Sequence, residues 1–87
     1  MATTIIIDIK PFVLEQQVYV LQGDEINSGE KVRMKTLAED VIMLSEKYDT
    51  REFHISGAKV FTKGLKQKIQ KAEIEKYSVN KLNITLI

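Results

Sequence analysis

Two helix-like patterns, each followed by a strand-like pattern, are the feature that most constrains how this chain can fold. In TLAEDVIMLSEKY, residues 36–48, apolar side chains recur every three or four residues, which is typical of a helix with one buried face. REFHIS, residues 51–56, alternates as a strand does. FTKGLKQKIQKAEIEKY, residues 61–77, predicts a second helix, and NKLNITLI, residues 80–87, a last strand.

Each helix followed by a strand is typical of a parallel crossover unit. Right-handed crossovers that continue in one direction place both helices on the same side of the sheet. The side chains predicted to face the core in this part of the chain are Leu37, Val41, Leu44 and Tyr48, then Phe53 and Ile55, then Phe61, Leu65, Ile69 and Ala72, then Leu82, Ile84 and Leu86.

The first third of the chain predicts strands joined by short loops, which are therefore antiparallel. TTIIIDI, residues 3–9, and QQVYVLQ, residues 16–22, are rich in β-branched residues. GDEINSG, residues 23–29, predicts a turn. EKVRM, residues 30–34, predicts a short third strand or, alternatively, the first turn of the next helix. The expected fold is one α/β domain over residues 1–87, in the order β-β-β-α-β-α-β, with a mixed five-stranded sheet.

Two local expectations concern the helices. Thr36 and Glu39 have the spacing of a capping box, in which the hydroxyl accepts an orphan N–H and the glutamate reaches back. Gly64 lowers the stability of the second helix by roughly 1 kcal/mol relative to alanine. We therefore expect Gly64 to lie where the helix closely approaches another element.

The element order, together with IIID at residues 5–8 and ISGAKVFTKGL at residues 55–65, resembles the core of the ribonuclease H-like fold, which the actin-like ATPases share. The resemblance covers nearly the whole chain and implies the strand order 3-2-1-4-5. It places Asp8 at the first-strand position that carries a catalytic aspartate in the nucleases. Gly57 stands where the fourth strand of the family has an aspartate.

The family's chemistry needs residues that this chain lacks. A two-metal nuclease requires a cluster of carboxylates, and only Asp8, Glu39 and Asp40 are candidates. The ATPases need a glycine-rich phosphate loop after the first strand, whereas KPFVLEQ, residues 10–16, has no glycine. We therefore expect no enzymatic activity, and a degenerate metal-dependent nuclease is the least favoured hypothesis.

The composition excludes several other classes of site. There is no cysteine and a single histidine, His54, which removes disulfides, thiolate nucleophiles and the usual zinc sites. No phosphate-binding glycine motif occurs, so no cofactor is expected. No apolar run approaches the roughly 20 residues of a membrane span, and we expect a cytoplasmic protein. Abundant Lys, Ile and Asn suggest an AT-rich bacterial or phage genome, and a phage or mobile element is the expected origin.

Charge is distributed unevenly along the chain. Residues 1–56 carry six basic and ten acidic side chains, a net charge of −4, whereas residues 57–87 carry seven lysines and two glutamates, a net charge of +5. An anionic partner, attraction between copies and a solvated helix face all remain open. The nucleic-acid-binding hypothesis uses the lysine-rich surface of residues 59–71, with four candidate residues: Lys59, Lys63, Lys66 and Lys71.

Interaction with a protein is the favoured function. Two helices on one side leave the other face of the sheet uncovered, although the first two strands are apolar on both faces. The candidate interface residues are Tyr19 and Leu21 on the strand, and Phe12, Val13 and Leu14 in the preceding loop. These loop residues either project at a hairpin tip or fold back onto the core. We therefore expect a small accessory protein that forms homo-oligomers and docks on an unknown protein partner.

Overall fold

Five strands and two helices make up the computed structural model, which describes residues 2–87. The elements are β1 (Thr3–Asp8), β2 (Glu15–Gln22), β3 (Glu25–Arg33), α1 (Leu37–Lys47), β4 (Glu52–Ser56), α2 (Lys59–Tyr77) and β5 (Asn83–Leu86), with a 3₁₀ turn over Met34–Thr36 before α1. The strands lie in one mixed sheet in the order β3-β2-β1-β4-β5. The predicted fold class and topology are therefore confirmed.

The register places the buried side chains of neighbouring strands side by side. Ile5 of β1 lies opposite Val20 of antiparallel β2 and beside Phe53 of parallel β4, which in turn lies beside Ile84 of β5. Because successive side chains of a strand point to opposite faces, the odd-numbered residues of β1 share one face with these partners.

That face carries the core, and both helices pack on it. The strand and helix residues of the core form one cluster, which includes the predicted α1 positions. Its fully buried members are Ile5, Ile7, Val18, Val20, Val32, Val41, Phe53, Ile55 and Ile69. The opposite face of the sheet has no covering element within residues 2–87. Both helices therefore lie on one face, as the crossover argument predicts.

β3 begins earlier than the sequence predicts. Only Gly23 and Asp24 form the turn, and β3 starts at Glu25, so the prediction of a turn through Gly29 is wrong. A bulge explains the discrepancy, because Ser28 and Gly29 together lie opposite the single residue Tyr19. The bulge absorbs the polar Asn-Ser-Gly segment without ending the ladder.

The alternatives for residues 30–34 are also decided. Strand geometry continues to Arg33, and Met34 begins the 3₁₀ turn. The predicted capping box is absent, because no side chain caps α1 at Thr36. The backbone of Thr36 has left the extended region that a capping residue needs. Instead, Asp40 accepts hydrogen bonds from the Arg33 N–H at 2.9 Å and from the Thr36 hydroxyl at 3.2 Å.

The buried stripe of α2 agrees with the prediction at Leu65 and Ile69 and differs from it at both ends. Thr62 is buried where Phe61 was expected, and Phe61 is 50% exposed. Glu73 is buried, whereas Ala72 is only half-buried. The helix starts at Lys59, two residues before the predicted start. The buried positions Thr62, Leu65, Ile69 and Glu73 have intervals of three, four and four residues, where the prediction has intervals of four, four and three.

The expected close approach occurs at Gly57 and not at Gly64. A Cβ on Gly64 would meet nothing within 4 Å. A Cβ on Gly57 would lie 2.8 Å from the carbonyl oxygen of Ile9, and Gly57 has a φ of +137°, which side chains other than glycine rarely adopt. Gly57 therefore permits the tight connection from β4 into α2.

Candidate functional site

The uncovered face of the sheet carries a small apolar patch. Ile6 lies between Tyr19 of β2 and His54 of β4 in the register. In the next row, Leu21 lies opposite Ile26 of β3, which is 69% exposed. We call Ile6, Tyr19, Leu21 and Ile26 the apolar sheet patch. The sequence pattern does not indicate Ile26 as a member of this patch, because its neighbours in GDEINSG favour a turn.

The remainder of this face is polar. Ser56 donates a hydrogen bond to the Asp8 carboxylate at 3.2 Å, and the Lys10 ammonium lies 3.9 Å from the other Asp8 oxygen. His54 is half-exposed in the row of Ile6. Polar side chains therefore occupy the end of the face where β1 and β4 finish.

The carboxylates of the nuclease hypothesis are not brought together. Asp8 lies on the uncovered face, whereas Glu39 and Asp40 belong to α1 on the opposite side of the sheet. Within residues 2–87, no group of three or more His, Cys, Asp or Glu side chains is placed to hold a metal ion. The proposed combination of Asp8, Glu39 and Asp40 is therefore not a site in this fold.

The loop between β1 and β2 projects apolar side chains into solvent. Phe12 is 104% exposed and Leu14 is 84% exposed, and Val13 is also exposed. The backbone of Phe12 has a φ of 63°, which is uncommon and costly for an aromatic residue. The hairpin-tip arrangement is therefore the one that the chain adopts, and this loop is a surface separate from the apolar sheet patch.

A buried amide, Gln16, fixes the shape of this loop. Its Oε1 accepts the Lys10 N–H at 2.8 Å, and its Nε2 donates to the carbonyl oxygens of Lys10 at 2.9 Å and Val13 at 3.1 Å. Gln16 is not among the candidate residues that the sequence indicates. The available signal is its phase, because Gln16 shares the buried side of β2 with Val18 and Val20.

The four candidate lysines lie on two different flanks of α2. Lys59, Lys63 and Lys66 follow one another at intervals of four and three residues, which aligns them on one helix face. Lys71 is five residues further on, about 140° around the helix. It lines a groove between the helices together with Glu39, Lys68 and Glu75. The predicted surface therefore reduces to three aligned lysines, which we call the lysine stripe.

An ion pair joins the two helices. Lys76 of α2 contacts Glu46 of α1 at 2.7 Å. The hydrogen bond from Lys76 lowers the pKa of Glu46 below its ordinary value, and it raises the pKa of Lys76. Both side chains are about half-exposed, so the pair contributes little to stability.

Neither helix of residues 2–87 is long and apolar enough to cross a membrane.

Comparison with known proteins supports the fold alone. No family model and no curated protein matches the chain. The chain is similar in structure to Archaeoglobus fulgidus Pelota, whose crystal structure was described as revealing inter-domain structural plasticity. The two chains share a TM-score of 0.58 and 16% identity over 98% of this chain. The matched region is 26% of the Pelota chain, so this protein spans about a quarter of that one.

Proposed function

We propose that the protein is a non-enzymatic protein-binding domain with a ribonuclease H-like core, and that it self-associates through its uncovered sheet face. The observation that carries the proposal is the apolar sheet patch, in which Ile6, Tyr19, Leu21 and Ile26 are contiguous in the strand register. Contiguous apolar side chains on an uncovered face favour burial against another surface. A cytoplasmic location and a phage or mobile-element origin remain parts of this proposal.

A second copy suits this face because its charges are of both signs. By strand alternation, Glu15 and Glu52 share the face with Lys31 and Arg33. A two-fold-related copy presents the same surface, so acidic and basic groups can face each other without a net like charge. No partner of a particular charge is needed.

The size of the face favours weak association. Strands about 4.8 Å apart, with a rise of about 3.3 Å per residue, give a five-stranded face on the order of 400 Å². A stable interface buries about 800 Å² on each partner. We therefore expect a dimer that forms only at high protein concentration.

Light scattering across a concentration series tests the proposal. Tyr19→Lys and Leu21→Lys place a charge in the patch and shift the protein toward the monomer. Met43→Lys is the matched control, because Met43 is exposed on the helix side. Association that survives both strand variants, or a wild-type monomer at every concentration, rejects self-association through this face.

Nucleic-acid binding is the second candidate, and the alignment of the lysine stripe favours it. Affinity for a single-stranded oligonucleotide should then fall steeply with salt. It should weaken in Lys63→Ala and Lys66→Ala but not in Lys71→Ala, because Lys71 lies on the other flank. Absence of binding at low salt rejects this candidate.

A further inference from the structure

The outer edge of β5 is a second exposed surface, separate from the apolar sheet patch. Within the part of the chain that the structure describes, β5 is an edge strand and pairs only with β4. No Lys, Arg, Asp or Glu occurs in its sequence NITL. Such an edge lacks the charged side chains that usually prevent a further strand from pairing with it.

The hydrogen bonds between β5 and β4 show which backbone groups of β5 are available at this edge. The Asn83 N–H donates to the carbonyl of Arg51 at 2.7 Å, and the Ile87 N–H donates to the carbonyl of Ile55 at 3.0 Å. In a parallel ladder, alternate residues of a strand bond to the same neighbour. The N–H and C=O groups of Ile84 and Leu86 therefore point away from β4.

The lysine stripe lies beside this edge. α1 packs over β3, whereas α2 packs over β5. Lys68 and Lys71 face the groove toward α1, so Lys59, Lys63 and Lys66 lie on the opposite flank, above the free edge. Within residues 2–87, none of these three ammonium groups makes an ion pair or a hydrogen bond.

We propose that the β5 edge binds an extended acidic segment of a partner protein by strand addition. The outward groups of Ile84 and Leu86 supply the backbone hydrogen bonds that add a strand. The lysine stripe supplies charge complementarity to alternate acidic side chains of the added strand. This inference does not depend on self-association, because it uses a different surface and a different partner.

A peptide is favoured over a nucleic acid by the combination of the two features. A phosphate backbone satisfies the lysines but has no ladder of amide groups to match the strand edge. An extended peptide satisfies both. The added strand lies next to β5 and continues the sheet beneath the lysine stripe.

The probe is a short blocked peptide of alternating valine and glutamate, with a valine–lysine peptide and an oligothymidylate as comparisons. Binding is measured by fluorescence anisotropy and by amide chemical shifts of the full chain. We expect the acidic peptide to bind and to shift the amide signals of Ile84 and Leu86 most. The valine–lysine peptide does not bind.

Two pairs of variants separate backbone pairing from charge. Leu86→Pro removes an outward N–H without removing a bond to β4, and Leu86→Val keeps that N–H. We expect about a tenfold loss of affinity in Leu86→Pro and none in Leu86→Val. Lys63→Glu with Lys66→Glu should reduce affinity by at least about tenfold, whereas Lys71→Glu changes it little. If Leu86→Pro does not fold, the lysine variants and the amide shifts still decide the outcome.

Several results overturn the proposal. One is absence of binding by the acidic peptide, and another is binding that Lys63→Glu with Lys66→Glu leaves unchanged. Tighter binding of oligothymidylate, unaffected by Leu86→Pro, assigns the surface to nucleic acid. A fall in oligomer mass in Leu86→Pro but not in Tyr19→Lys assigns the edge to a second copy.

Discussion

The hydroxyl of Tyr48 donates a hydrogen bond to the carboxylate of Glu30, and Lys47 contacts the same oxygen at 2.6 Å. These contacts join edge strand β3 to the end of α1. The hydrogen bond from Lys47, and then that from Tyr48, lowers the pKa of Glu30 below its ordinary value, against the effect of partial burial. The same contacts raise the pKa of Tyr48 and of Lys47.

The lowered pKa of Glu30 predicts a loss of stability in acid. A carboxylate whose folded-state pKa is depressed stabilises the fold above its unfolded-state pKa, and this stabilisation disappears as the pH falls through the folded-state value. Glu30→Gln should therefore cost roughly 1 kcal/mol at neutral pH and little once the pH lies below the folded-state pKa of Glu30. Urea unfolding at both pH values measures the difference. Glu25→Gln, on the exposed part of β3, is the control, and an equal cost in both variants contradicts the prediction.

Gln16 should be required for the shape of the β1–β2 loop. Gln16→Ala leaves three backbone groups of Lys10 and Val13 without their partner. We expect a cost of about 2–3 kcal/mol in the free energy of unfolding and faster amide exchange at Lys10. Gln67→Ala on the exposed face of α2 should leave both unchanged. Unaltered exchange at Lys10 in Gln16→Ala is the contrary result.

Two glycine variants should have effects of opposite sign. Gly57→Ala forces a Cβ to within 2.8 Å of the Ile9 carbonyl oxygen at a positive φ, and we expect a loss of at least about 1–2 kcal/mol. Gly64→Ala adds a methyl group in open space on α2 and should gain up to about 1 kcal/mol. Thermal unfolding of both variants tests this contrast, and a destabilised Gly64→Ala would show a close approach after all.

The phase of α2 predicts that Ile69 contributes more to stability than the larger Phe61. Ile69 is fully buried, whereas Phe61 is half-exposed. Ile69→Ala should therefore cost about 2–5 kcal/mol and Phe61→Ala less than about 1 kcal/mol. Denaturant unfolding of both variants supplies the comparison. A larger cost for Phe61→Ala would indicate that Phe61 packs in the core, as the sequence pattern predicts.

Residues whose sequence neighbours agree on one local structure were predicted correctly. The alternation of Phe53 and Ile55 fixed the buried face of β4, and the spacing of Leu37, Val41 and Leu44 fixed that of α1. In β4 and α1 the spacing of the apolar residues is sufficient to identify the buried face, because an apolar face must be buried. In α2 the same criterion identifies Leu65 and Ile69 but not the ends of the stripe, because Phe61 and Thr62 both fit a helical period.

The candidate surfaces depended more strongly on the tertiary structure. The sequence makes Phe12 and Tyr19 candidates for one interface, but in the structure Phe12 lies in the β1–β2 loop and Tyr19 on the sheet face, so they belong to two separate surfaces. Ile26 joined that patch only through the bulge in β3. Lys71 is not part of the lysine stripe, because it lies in the groove between α1 and α2.

The sequence by itself determined the element order, the sheet class and the absence of cysteine chemistry, because these follow from local periodicity and residue type. The tertiary structure alone decided which side chains meet. Gln16 accepts a hydrogen bond from Lys10, and Glu30 accepts one from Tyr48. Gly57 has no Cβ that would collide with the carbonyl oxygen of Ile9. Strand pairing and helix packing bring each of these pairs together. Such contacts depend on register and crossover geometry, and neither is encoded within a single segment of the chain.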